Sequence, residues 1–89
     1  MESLSILIPV YNRDCSRLIK DLYVQGISSG TPFEIIVADD YSANKDTLKA
    51  VRDTSASLEH CRLIESDRNI GRSAIRNLLA DNASYGKLL

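Results

Sequence analysis

No apolar run in the 89 residues approaches the roughly 20 needed to span a bilayer, and the first residues lack the basic start and long apolar stretch of a signal peptide. The default compartment is the cytoplasm, with any membrane association left to a part of the protein outside this sequence. There is no excess of either charge: 11 Lys and Arg face 12 Asp and Glu, a formal net charge of −1. That balance excludes a general nucleic-acid binder and a surface for anionic lipid. Cysteine is scarce. Cys15 would follow the end of a first strand and Cys61 would open a third, so the two lie about 16 Å apart, at about 3.3 Å per residue of a short strand, too far for a disulfide. Both are read as reduced, and with no His near either in sequence, neither reads as a catalytic thiol. The lone His60 reads as a surface residue rather than a ligand. Repeats, low-complexity segments and linkers are absent. So are G-x-G-x-x-G after the first strand, G-x-x-x-x-G-K-[ST] anywhere, and the acidic pair that a phosphoacceptor would carry at the end of the first strand.

What remains is one small domain with one core, 44% apolar and 26% charged, which is ordinary for a globular chain. Residues 3–10, Ser-Leu-Ser-Ile-Leu-Ile-Pro-Val, read as a central strand buried on both faces whose hydrogen-bonded part stops near Ile8, ahead of Pro9. From Asp14, a plausible N-cap, the apolar period changes. Cys15, Leu18, Ile19, Leu22, Tyr23 and Gly26 form the stripe of a helix laid on a sheet, ended by the Gly26–Pro32 loop. Residues 34–38 are a short β-branched run, a buried second strand ending in Asp39 and Asp40. Tyr41 to Asn44 is turn chemistry, with Ser42 and Asn44 both able to cap a second, peripheral helix whose stripe is Leu48, Val51 and Ala56. Cys61 to Glu65 is a third strand. A third helix from about Ile70 to Ala83, capped by Asn69, buries Ala74, Ile75, Leu78 and Leu79. Lys87-Leu88-Leu89 reads as the start of a fourth strand. The order βαβαβαβ predicts a Rossmann-like three-layer α/β fold with a mostly parallel sheet, and an ending inside a strand suggests a fragment of a longer protein.

Parallel strands bring three polar clusters to one rim: Pro9, Tyr11, Asn12 and Arg13 after the first strand, Asp39 and Asp40 after the second, and Asp67, Arg68 and Asn69 after the third, with Arg72 and Arg76 one turn apart on the helix that follows. Ligands of open α/β sheets sit at this rim. A ring that stacks on a base, a carboxylate that accepts from base or ribose, and guanidinium groups that pair with phosphate together suit a nucleotide. Structural readings compete at each position. Tyr11 can staple the first helix, Arg72 and Arg76 can form a solvated helix face, and Asp39 can be structural, because neighbouring strand residues point to opposite faces.

Residues 5–13 (Ser-Ile-Leu-Ile-Pro-Val-Tyr-Asn-Arg), 34–42 (Glu-Ile-Ile-Val-Ala-Asp-Asp-Tyr-Ser) and 69–77 (Asn-Ile-Gly-Arg-Ser-Ala-Ile-Arg-Asn) resemble, in order and spacing, the start of a family 2 glycosyltransferase of the GT-A fold. The resemblance covers essentially the whole chain, which would be a truncated GT-A domain: the N-terminal, nucleotide-binding half. It implies that Pro9 and Tyr11 wall the base pocket, that Asp40 bonds the base, commonly uracil, and that Arg72 or Arg76 lies near the diphosphate. Asn12, Arg13 and Asp39 complete the candidate nucleotide-binding set. The implied partners are a nucleotide-sugar donor, a UDP-sugar first, and a saccharide acceptor. A divalent metal, Mn or Mg, is implied for the full-length enzyme and none for these residues, because the family's D-x-D motif follows the fourth strand and Asp39-Asp40 is not that motif. The family usually has Gly where this chain has Tyr41. By itself the chain is expected to be inactive. The alternative is a non-catalytic α/β binding or self-association module, pairing copies through an exposed sheet edge.

Overall fold

The computed structural model describes residues 3–85 and 87–88. Seven elements follow in order: β1 (Leu4–Val10), α1 (Ser16–Ser29), β2 (Phe33–Asp39), α2 (Lys45–Ser57), β3 (Cys61–Glu65), α3 (Arg72–Asn82) and β4 (Lys87–Leu88). The four strands form one parallel sheet in the order β3-β2-β1-β4. β2 carries the core: Ile35, Ile36, Val37 and Ala38 are fully buried, because both faces of this strand are covered. On one face Ile6, Ile8, Val10, Ile35 and Val37 pack with Cys15 and Ile19 of the α1 region and Val51 of α2. On the other, Ile36 and Ala38 pack with Ile75 and Leu79 of α3. The three layers expected from the order of elements are therefore present.

Several boundaries differ from the sequence reading. β1 continues through Pro9, which pairs with Ala38, to Val10. Leu4 N donates to Pro32 O and Asp40 N donates to Val10 O, so the even residues of β1 bond β2 and Pro9 turns the other way. Its missing N–H costs no described bond, since β4 pairs only with Leu4 and Ser5. α1 does not end at Gly26. It runs one turn further to Gly30, which closes it at φ 70. Gly26 is needed for a different reason: a Cβ there would lie 2.7 Å from the Phe33 ring, itself packed edge-on against Tyr23. Asp14 lies one residue before the Cys15 cap position and accepts from Ser16 N and Ser16 Oγ. In α2 the buried face is Val51, Thr54 and Ser55, with Ala56 exposed. Asn44 caps that helix, accepting from Asp46 N and Thr47 N. α3 starts at Arg72 after Gly71, two residues later than expected, and Asn69 does not cap it.

The fourth strand is held at its entry by Glu34. Its carboxylate accepts from Ser5 Oγ (2.6 Å) and Ser84 N (2.6 Å), and Arg62 lies 3.7 Å away. The sequence reading of Leu89 lies outside the described residues.

Candidate functional site

The C-terminal ends of β1, β2 and β3 open on one rim, and the loops that leave them are tied together by short polar links. Asn12 Oδ1 accepts from Ala43 N (2.7 Å) and Asn44 N (3.1 Å), and Asn12 N donates to Ser42 Oγ (2.8 Å). Ser42 in turn bonds the Asp39 carboxylate through its amide (2.9 Å) and its hydroxyl (2.5 Å). Asp40 reaches the third loop: it accepts from Ile70 N at 2.7 Å and Gly71 N at 3.0 Å, while Asn69 Nδ2 donates to its backbone oxygen. Gly71 has φ 86, a region that a side chain rarely enters, and this turn sets its amide towards the carboxylate.

A cleft of about 580 Å³ opens beside the C-terminal half of β1. Of the eight residues expected at the site, it brings together Pro9, Tyr11, Arg13, Asp40, Arg72 and Arg76. Asn12 and Asp39 lie outside its lining and are engaged instead in the loop links. Asp67 and Arg68 are exposed and also outside it. The apolar wall is Ile8, Val10, Cys15, Leu18 and Ile75, with Asn69 and Gly71 at the polar end. Tyr11 is 54% exposed, a ring presented to solvent rather than stapled under the helix.

The charge of the cleft is asymmetric. Among the described residues the ion pairs are Lys49–Asp53, Arg52–Glu65 and Arg62–Glu34, all away from the lining. Arg13, Arg72 and Arg76 have no acidic partner among them. The single carboxylate in the lining, Asp40, is 5% exposed and already engaged by two backbone amides. Three guanidiniums against one satisfied carboxylate suit an anion, and the start of α3 adds its dipole in the same sense. The Asp39–Asp40 pair does not suit a cation. All four carboxylate oxygens accept hydrogen bonds from the loops, and no group of three or more potential ligands occurs among the described residues. Burial of Cys15 pushes its thiol up to about 11, which disfavours the thiolate.

Comparison with known proteins gives this arrangement a family. The model for glycosyl transferase family 2 matches residues 5–86, all three rim segments included. The chain belongs to this family. As a family 2 glycosyltransferase chain it also resembles solved structures. One is the mannosyltransferase PcManGT from Pyrobaculum calidifontis, in complex with GDP-Man and Mn2+, at 23% identity and a TM-score of 0.65. The match covers 91% of this chain and 24% of that one, so the chain spans about a quarter of the length of that neighbour. The likeness supports the expected fold, an open α/β sheet of the GT-A type. No curated protein is similar enough to be matched to it.

The turn after Asp40 is left-handed: Tyr41 has φ 60, a region that favours glycine, the residue expected there from the family resemblance. Holding a side chain in it costs about 1 kcal/mol. Sequence reasoning missed Ser42 as a link between loops, and it put Asn69 on the rim without counting it among the nucleotide-binding residues. Both were also read as helix caps, the commonest use of those residue types. The signal for Asn69 was Gly71, whose position just before the third helix marks a turn that side chains rarely adopt.

Proposed function

We propose that the cleft holds the nucleoside diphosphate portion of a sugar-nucleotide donor, and that the chain is the donor-binding portion of an enzyme transferring that sugar to a saccharide acceptor. The observation that carries this reading is the set of three arginines without acidic partners among the described residues, around a cleft edged by an exposed tyrosine. Tyr11 and Pro9 flank the base, Asp40 accepts a ring N–H from it, and Arg13, Arg72 and Arg76 meet the phosphates. Uracil and guanine both carry such an N–H. The family pattern favours a UDP-sugar, while the GDP-Man in PcManGT supports keeping guanine as the second base. A divalent cation belongs to this reading through the D-x-D motif of a longer chain, while Asp39 is engaged by Ser42 and Asp40 serves the loop and the base. These 89 residues bind and orient the donor without turning it over.

Isothermal titration of the chain with UDP and with GDP, repeated for Arg72→Ala and Tyr11→Ala, tests the proposal. One diphosphate should bind, and loss of Arg72 should weaken it about tenfold or more, the value of a charge-assisted contact. Binding that is unaffected by both substitutions would refute it. A second reading is that copies of the chain pair through a sheet edge; among the described residues β4 pairs with β1 at Leu4 and Ser5. Sedimentation showing a monomer at millimolar concentration would dismiss it.

A further inference from the structure

Asn12 sits between two residues that line the cleft and does not line it itself. Its side chain is spent elsewhere. Oδ1 takes two backbone donors from the loop between β2 and α2, Ala43 N and Asn44 N, and two N–H groups on one amide atom fix that atom as the oxygen. Its own amide donates to Ser42 Oγ, whose hydroxyl ends on the Asp39 carboxylate. Asp39 is 2% exposed and belongs to β2, the most buried strand. The link therefore runs from the rigid centre of the sheet to the middle of an otherwise exposed loop. Asn12 is also in the left-handed region at φ 52, which asparagine tolerates better than most residues. The chain reverses its twist at this one residue, so the directions of Tyr11 and Arg13 are both set by it.

We infer that Asn12, backed by Ser42 and Asp39, is a positioning residue for the donor: it clamps the loop after β1 to the loop after β2 and so holds Tyr11 and Arg13 in their binding geometry. This inference rests on the donor reading above. Its physical content is preorganisation. Tyr11 and Arg13 are exposed side chains on an irregular loop, and without the clamp both must be ordered when ligand binds, which costs affinity without removing any contact. The clamp's own bonds are solvent-accessible, so water replaces them when they are cut and the fold loses little.

Two substitutions separate the clamp from the backbone. Asn12→Gly keeps the left-handed conformation and removes the acceptor. Asn12→Asp keeps both. UDP and GDP titrations are run on each beside the parent and Arg72→Ala, with amide exchange at Ala43 and Asn44 and ¹⁵N relaxation at residues 11–13. Asn12→Gly should lose about tenfold in affinity, exchange faster at Ala43 and Asn44, and show a more mobile Tyr11, with its unfolding midpoint little changed. Asn12→Asp should restore the slow exchange and bind better than the glycine variant. Parent-like affinity of Asn12→Gly while Arg72→Ala is impaired would overturn the inference and leave the donor reading standing. If the parent binds neither nucleotide, the donor reading falls and the inferred role in donor binding falls with it. The relaxation data then show only whether Asn12 orders the loop.

Discussion

Replacing Asp40 with asparagine tests whether the carboxylate that faces the cleft also builds it. Asp40 is nearly inaccessible and accepts from Ile70 N and Gly71 N, the two amides that lead into α3. Asparagine keeps one acceptor and turns an NH2 group towards the other amide, which is left without a partner. A hydrogen bond to a charged group contributes about 1.5–3 kcal/mol, so we expect Asp40→Asn to lose about 2 kcal/mol. A domain of this size has a total stability of about 5–13 kcal/mol, so the variant remains folded. Its unfolding midpoint should fall by about 10 °C, at about 4–8 °C per kcal/mol for a domain of this length. Circular dichroism melting gives that number, and amide exchange locates it, with Gly71 or Ile70 losing protection ahead of the β2 amides. A variant that melts with the parent and keeps both amides protected would refute the reasoning, because the carboxylate would then not be holding the loop. The experiment also protects against a misreading: a loss of nucleotide affinity in Asp40→Asn includes the displacement of Arg72, which begins the helix that this loop anchors.

Two further perturbations follow from the packing. Gly26→Ala raises helix propensity in α1 yet should destabilise by about 1–3 kcal/mol, because the new methyl meets the Phe33 ring at 2.7 Å; urea unfolding measures it, and a more stable variant would show that the ring moves freely. Glu34 is shifted by burial upwards and, more strongly in sum, downwards by Ser5, Ser84 and Arg62, so its carboxyl titrates below its ordinary value. A carboxyl lowered in the folded state stabilises above its unfolded pKa and loses that contribution as pH falls through the lowered folded value. The urea midpoint of the parent should therefore fall more steeply below about pH 4 than that of Glu34→Gln, and parallel curves would contradict the assignment.

The architecture was legible because its signals are periodic and redundant. The β-branched run of β2 and the i, i+3, i+4 stripes of α1 and α3 each require burial on a known face, and strands separated by helices leave a parallel sheet as the natural solution. Boundaries were less legible where one residue type has two uses. Gly26 resembles a helix terminator by composition, but its reason is a ring packed from 33, a contact that no local rule contains. Pro9 resembles a strand stop, yet it lies at a position whose N–H would face away from β2. At the site, residue types identified the rim but not which members face the cleft. Asp39 and Asp40 differ by one step along a strand, and that step sends one carboxylate to Ser42 and the other to the start of α3. Asn12 was read as a rim residue with a ligand contact, whereas its oxygen accepts from Ala43 N and Asn44 N. The rim reading and the family pattern together named six lining residues; only the register of neighbouring loops separates those that touch the cleft from those that hold it.

The most direct test of the central claim is a chemical-shift map of the ¹⁵N-labelled chain titrated with UDP and with GDP, beside uridine and guanosine as controls without phosphate. The account predicts perturbations confined to the loop at Tyr11 and Arg13, to Asp40, and to Asn69–Arg76, with the arginine guanidinium signals moving only for the diphosphates. Shifts elsewhere on the sheet, or arginine signals that move equally with the bare nucleosides, would contradict it.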